Sequence, residues 1–241
     1  MEIKPMIHKA KYTYEDFLEI IKALRAPEGC PWDREQTHDS LRPCMLEEAY
    51  EFISSVRIWE ETGSADNMCE ELGDLLLQIV MHSEIADEEG LFTMEDVVDE
   101  ISRKMVRRHP HVFGTTEVTG VADVLNNWDD IKKKEKEGKT WIETPLKEIP
   151  KEQPALTRAS KVLKKVNKVY EPILNYDASL DRLGESLEAL KAGGSEISQE
   201  ALEKEMGKML MELSAIAAER KIYSEQLLID CVEETIKKYE K

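Results

Sequence analysis

Between residues 65 and 89 the chain repeats apolar side chains at Leu72, Leu75, Leu76, Ile79 and Val80. This i, i+3, i+4, i+7, i+8 order is the period of an amphipathic helix; a half-buried strand alternates instead. The preceding segment, 40–61, carries the same period in Met45, Ala49, Phe52, Val56 and Trp59, and only the short stretch "EETGSAD" around Gly63 separates the two. Helices joined so closely fold back on one another as an antiparallel pair. Val, Ile and Thr never alternate over a useful length, and only 6% of the residues are aromatic, so a sheet has neither its pattern nor its material. The sequence predicts an all-α fold.

Helices are expected near 13–25, 40–61, 65–89, 94–108, 121–138, 154–170, 178–191, 198–219 and 224–239. Thr13 with Asp16 and Thr93 with Asp96 fit the capping box, and Ser64, Ser198 and Ser224 are candidate N-caps. Pro145, Pro150 and Pro154 interrupt the helical pattern, which marks 141–156 as a linker between a domain of residues 1–140 and a second unit of residues 157–241. The second unit echoes the first. "EELGDLLLQIVMHSEIADEEGLFT" (70–93) runs parallel to "EKEMGKMLMELSAIAAERKIYS" (203–224), with Gly73 opposite Gly207 and Phe92 opposite Tyr223. Two copies of one helical-bundle unit are therefore expected.

Charge narrows the function. A formal net charge of -17 argues against a general nucleic-acid binder, which needs a basic face, but still admits a phosphate ligand held through a metal. Cys30, Cys44, Cys69 and Cys231 are scattered with no CxxC pair and read as free thiols. The N-terminal "MEIKPMIHKA" lacks an apolar signal core, and no run approaches the roughly 18 apolar residues of a membrane span. A cytoplasmic location is the expectation.

The carboxylates carry the chemistry. Glu48 and Glu51 lie three apart on one helix and project to the same side; Glu71 and Asp74 repeat the spacing on the next. Glu48 falls between Met45 and Phe52, inside the apolar stripe. At about 1.5 Å per residue, Glu51 and Glu71 stand roughly 18 Å and 12 Å from Gly63, within about a turn of each other across the hairpin. Four carboxylates can thus meet one hard cation, and Mg²⁺ suits oxygen donors and substrate phosphates. A solvated acidic face is the plain alternative, and a di-iron bundle a further one. The latter calls for two ExxH motifs, whereas Glu35 to His38 is a single one outside the main pair.

These residues fit a known pattern. "EEAYE", followed after 19 residues by "ELGD", resembles the EExxE…ExxD signature of MazG-type nucleoside triphosphate pyrophosphohydrolases, in the all-α NTP pyrophosphatase superfamily. "GCPWDREQTHDSLRP" (29–43) and "RRHPHVFG" (107–114) resemble further hallmarks of that family. The resemblance implies a helical core paired with a second subunit as a homodimer, Mg²⁺ dependence, and hydrolysis of NTP or dNTP to monophosphate and pyrophosphate. It implies metal ligation by Glu48, Glu51, Glu71 and Asp74, with Glu47 as an extra ligand or a base that orients water. It also implicates Trp128 and Lys132, in "WDDIK", and the pair Lys104 and Arg108 in substrate binding. The run "RKMVRRHPH" (103–111), which adds Arg107, and "KKK" (132–134) are the dense positive patches that can offset an anionic triphosphate. For His109 and His111, phosphate contact and a structural role in the turn stay open; for Trp32, base stacking and core packing do.

The C-terminal half departs from this pattern. "EMGK" puts Lys208 where "ELGD" has its aspartate, and "ESLEA" (185–189) puts Ser186 and Ala189 at two acidic positions. An ammonium group repels a cation, so the second copy is expected to be inactive. Two classes of function follow: a house-cleaning Mg²⁺-dependent NTP pyrophosphohydrolase, or a non-catalytic helical module that binds nucleotides or a partner.

Overall fold

The computed structural model describes residues 9–136 and 143–240, and among these every regular element is a helix. In chain order they are α1 (Tyr14–Arg25), α2 (Pro31–Glu35), α3 (Arg42–Thr62), α4 (Asp66–Glu88), α5 (Met94–Arg108), α6 (Pro110–Phe113), α7 (Val121–Lys136), α8 (Ala155–Val169), α9 (Tyr176–Gly193), α10 (Gln199–Glu219) and α11 (Ser224–Tyr239). None of them is long and apolar enough to cross a membrane. The expected end of α7 at 138 and the start of the expected linker, 141–142, lie outside the described residues.

Local chemistry sets the helix ends. Both capping boxes form: Thr13 and Thr93 accept from the Asp16 and Asp96 amides, and the two aspartates accept in return from the Thr13 and Thr93 amides. Each reciprocal pair satisfies amides that a helix start leaves orphaned. Ser198 caps α10 as expected. Ser224 does not cap α11: Tyr223 holds that position, and the Ser224 hydroxyl turns instead to Ser160 and the Leu156 carbonyl of α8. Ser64 bonds the Asp66 amide from one position before the cap residue Ala65.

The chain forms two compact units, Met1–Lys133 and Lys134–Lys241. In the first, α3 and α4 pack as the antiparallel hairpin, turned by Gly63 at φ 76°, a left-handed conformation that favours glycine. Ile21 of α1, Leu41 and α4's Val80, Met81 and Ile85 make its core, with Phe17, Leu24, Leu77 and Met94 packed around them. The apolar stripe read from the sequence is only partly the buried one. Leu72 and Ile79 are 50% and 41% exposed, and their neighbours Glu71 and Gln78 are the buried residues. In the second unit α10 packs against α8 and α9, and the contacts run through small side chains: Ser179, Ser186, Ser214, Ala215, Ala217 and Ala218 are buried. Part of the proline-rich stretch is tied to α8 by the Glu148–Lys165 ion pair at 3.0 Å.

The two hairpins share a period of 131 residues. Gly63 and Gly194 turn them, and Gly90 and Lys221 follow their second helices, all four at positive φ. Buried serines keep the same interval, Ser55 with Ser186 and Ser83 with Ser214. The "EMGK" motif does not keep it. Gly207 lies one helical turn nearer Lys221 than Gly73 lies to Gly90, so matching Gly73 with Gly207 and Phe92 with Tyr223 leaves out one turn of α10.

Lys221, at φ 58°, occupies a conformation that costs a side-chain-bearing residue about 1 kcal/mol. Lys221→Gly relieves that strain but adds unfolded-chain entropy, so a net gain of about 0.5 kcal/mol is expected in urea titration; a midpoint lowered by about 1 kcal/mol counts against the strain.

Candidate metal centre

Three carboxylates meet between α3 and α4. One oxygen each from Glu48, Glu71 and Asp74 lies within 4.8 Å of the others. The i, i+3 spacing puts Glu71 and Asp74 on the side of α4 that faces α3, and Gly63 brings the two helices together at this height. Glu51 stands beside Glu71, a further carboxylate close to the group. Burial, then Asp74, Glu51, Glu71 and Glu47, push the Glu48 carboxyl above the ordinary range. Desolvation, then Glu71 and Glu47, push Glu51 the same way. Glu47 itself is exposed.

Glu71 is only 7% exposed. Asn67 donates to its Oε1 at 2.7 Å, while Oε2 is buried without a hydrogen-bond partner. A buried carboxylate with one oxygen lacking a donor, grouped with two further carboxylates, asks for a positive charge. The donor set is all oxygen, which fits a hard divalent cation. It does not fit a di-iron centre: among the described residues no histidine joins the group, and His38 pairs with His82 instead, Nδ1 to Nδ1 at 2.8 Å.

The expected substrate residues form a second assembly, at the junction of α5, α6 and α7. Trp128 is its hub. The His109 ring meets it edge-on at 5.3 Å, and the Arg108 guanidinium and Lys132 ammonium stand 6.0 and 5.7 Å from its centroid. His109 contacts the Met105 carbonyl at 2.6 Å, so a structural role in this turn holds for its Nδ1. The Trp128 Nε1 and His111 Nδ1 atoms are buried without partners. Lys104 is half-buried one turn before Arg108, and Arg107 is exposed. The side chain of Lys133, in "KKK", is outside the described residues. Trp32 is 61% exposed, which removes core packing as its role. Its segment is held by Arg25, a buried guanidinium that donates to the Asp33 and Gln36 carbonyls and to both oxygens of Glu88. Sequence reasoning passed over Asn67, Gln78 and His82, although all three recur at helical spacing on the Glu71 side of α4.

The model of the MazG nucleotide pyrophosphohydrolase domain matches residues 36–113. The Thermotoga maritima nucleoside triphosphate pyrophosphohydrolase/pyrophosphatase MazG is 34% identical over 233 residues, covering 97% of this chain and 86% of that protein. The chain belongs to the MazG family. The Escherichia coli K12 nucleoside triphosphate pyrophosphohydrolase is 37% identical over 80% of this chain and 73% of its own length. Bacillus subtilis YabN, described as uncharacterized, is 47% identical over 66% of the chain, which spans 32% of that longer protein. The MazG-matched segment contains the whole acidic group and Lys104, Arg107 and Arg108; Trp128 and Lys132 lie beyond it.

In this MazG protein, Glu71→Gln removes a buried negative charge while keeping shape. With EDTA present, its thermal midpoint should rise by about 2–4 °C, the response to roughly 1 kcal/mol in a chain of this size. Divalent-ion affinity by calorimetry should fall by about tenfold or more. A metal-free variant less stable than the parent, with affinity intact, would remove Glu71 from the centre.

Proposed function

We propose that this chain hydrolyses nucleoside triphosphates, ribo or deoxyribo, to the monophosphate and pyrophosphate, and so cleans cellular nucleotide pools. The observation that carries this reading is buried Glu71, which has one oxygen without a hydrogen-bond partner and one within 4.8 Å of an oxygen of Glu48 and of Asp74. The names of the Thermotoga and Escherichia relatives support it. Glu48, Glu51, Glu71 and Asp74 would hold Mg²⁺, whose chemistry when bound is to neutralise phosphate oxygens and acidify water. Exposed Glu47 orients the attacking water or adds a ligand. Lys104, Arg107, Arg108 and Lys132 hold the anionic phosphates, Trp128 packs beside them, and exposed Trp32 stacks a base. The cellular setting is the cytoplasm.

Domains of residues 1–140 and 157–241, joined through 141–156, remain our reading of the organisation, with catalysis confined to the first. In the second unit two of the carboxylates are held by cations: Arg182 grips both oxygens of Glu212 at 2.8 Å, and Lys208 pairs with Glu205 at 2.6 Å. Carboxylates already paired with a guanidinium and an ammonium are poor ligands for a further cation.

Release of pyrophosphate from an NTP and dNTP panel with Mg²⁺, and its loss with EDTA, tests the activity; binding without turnover would favour the non-catalytic module. Asp74→Asn should lower kcat/KM by at least about 100-fold, roughly 2.7 kcal/mol of transition-state stabilisation. Retention of half the rate would move catalysis away from the first hairpin.

The exposed apolar residues Leu46, Tyr50 and Ile53 on α3, with Leu72 and Ile79 on α4, support a homodimer. Light scattering at micromolar concentration should give twice 27.7 kDa or more; a monomer would refute it.

A further inference from the structure

The polar side of the first hairpin continues past the carboxylates. On α4, Asn67, Glu71, Asp74, Gln78 and His82 recur every three or four residues and form one strip down the helix. Asn67 is bonded to Glu71, Asp74 belongs to the carboxylate group, and His82 is paired with His38. Gln78 is the exception. It is only 5% exposed, yet its Oε1 is buried with no hydrogen-bond partner. It lies about one turn, roughly 6 Å along the axis, from Asp74 on one side and from His82 on the other.

An unsatisfied buried carbonyl oxygen destabilises a fold, and Leu or Met at this position would remove the penalty without loss of packing. A polar residue kept in that state between a metal centre and a fixed histidine pair is explained by a donor that arrives with the ligand. The histidine pair cannot be that donor's acceptor through Nδ1. Its rings lie within 4° of parallel and meet edge to edge, their Nδ1 atoms 2.8 Å apart, so each ring already occupies the other's Nδ1. Distance identifies the donor. In a nucleotide whose phosphates sit at the carboxylates, the group next in line is the sugar, and its donors are hydroxyls.

We propose that Gln78 accepts a hydrogen bond from a sugar hydroxyl of the bound nucleotide and is a specificity-determining residue of this site. The inference rests on the reading that the site takes nucleoside triphosphates. A site built around such a bond rejects the analogue that lacks the hydroxyl, because its own acceptor is then left unpaired. Replacing Gln78 by an apolar residue should therefore abolish discrimination between the two.

The test compares the parent chain with Gln78→Leu and Gln78→Met on ATP, 2′-deoxyATP and 3′-deoxyATP, with Mg²⁺, by initial rates and by calorimetric binding of the same three nucleotides. The parent should prefer ATP over one deoxy form by about tenfold or more, mostly in KM, and that form names the hydroxyl. In both variants the ratio should fall to about one, with thermal midpoints at or above the parent's. Variants that keep the parent's ratio overturn the proposal and make Gln78 a structural residue, as does a parent that binds all three equally. Binding without hydrolysis would sink the enzymatic reading, while the calorimetric ratio would still decide the role of Gln78. Failure to bind any of the three would overturn both.

Discussion

The first unit is organised around a repulsion. Glu48, Glu71 and Asp74 are held within 4.8 Å of one another, and Glu51 adds a fourth negative group beside Glu71. Nothing in the carboxylates themselves favours that approach, so the neighbouring structure enforces it. The turn at Gly63 sets the height at which the helices meet, and Asn67 fixes one face of Glu71. Farther along α4, Val80, Met81 and Ile85 lock the same helix against Ile21 and Leu41. Apolar burial at one end of α4 thus offsets electrostatic cost at the other, as expected where function requires local conflict.

The second unit contains a hairpin of like geometry without that conflict. Its turn and its following residue keep the 131-residue period, and its serines stay buried. Its charged side chains instead pair across and along the helices, Arg182 with Glu212 and Lys208 with Glu205. Arg182 and the Ser179 hydroxyl it contacts draw the Glu212 carboxyl below its ordinary range, the reverse of what happens to Glu48. The two hairpins thus share turn geometry and differ in electrostatics.

Much of this was readable in the residues. The Thr93–Asp96 box and the basic last turn defined α5 at 94–108, and helical rise alone placed Glu51 opposite Glu71. Periodicity, however, reports a stripe without saying which flank is covered, so Leu72 and Ile79 were expected inside and lie largely outside. Helices α2 and α6 are too short to show a period, and each begins on a proline that reads equally as a turn. The His38–His82 contact and the isolation of Gln78 depend on residues distant in sequence, which no local pattern encodes. Of the two matches read between the copies, Phe92 with Tyr223 keeps the 131-residue interval of the positive-φ positions and Gly73 with Gly207 departs from it by three residues; those positions are silent in a sequence when one of them is lysine.

The clasp made by Arg25 has a dynamic consequence. One buried guanidinium joins the Asp33 and Gln36 carbonyls to Glu88 at the end of α4, with distances of 2.6 to 3.2 Å. Releasing the 33–36 segment would leave the Glu88 pair intact but strip the buried Nη1 group of both its acceptors, a cost that holds the segment down. What looks like a surface loop in the chain order is therefore anchored to α1 and, through the same guanidinium, to α4, and local opening of this segment costs more than that of an untethered loop.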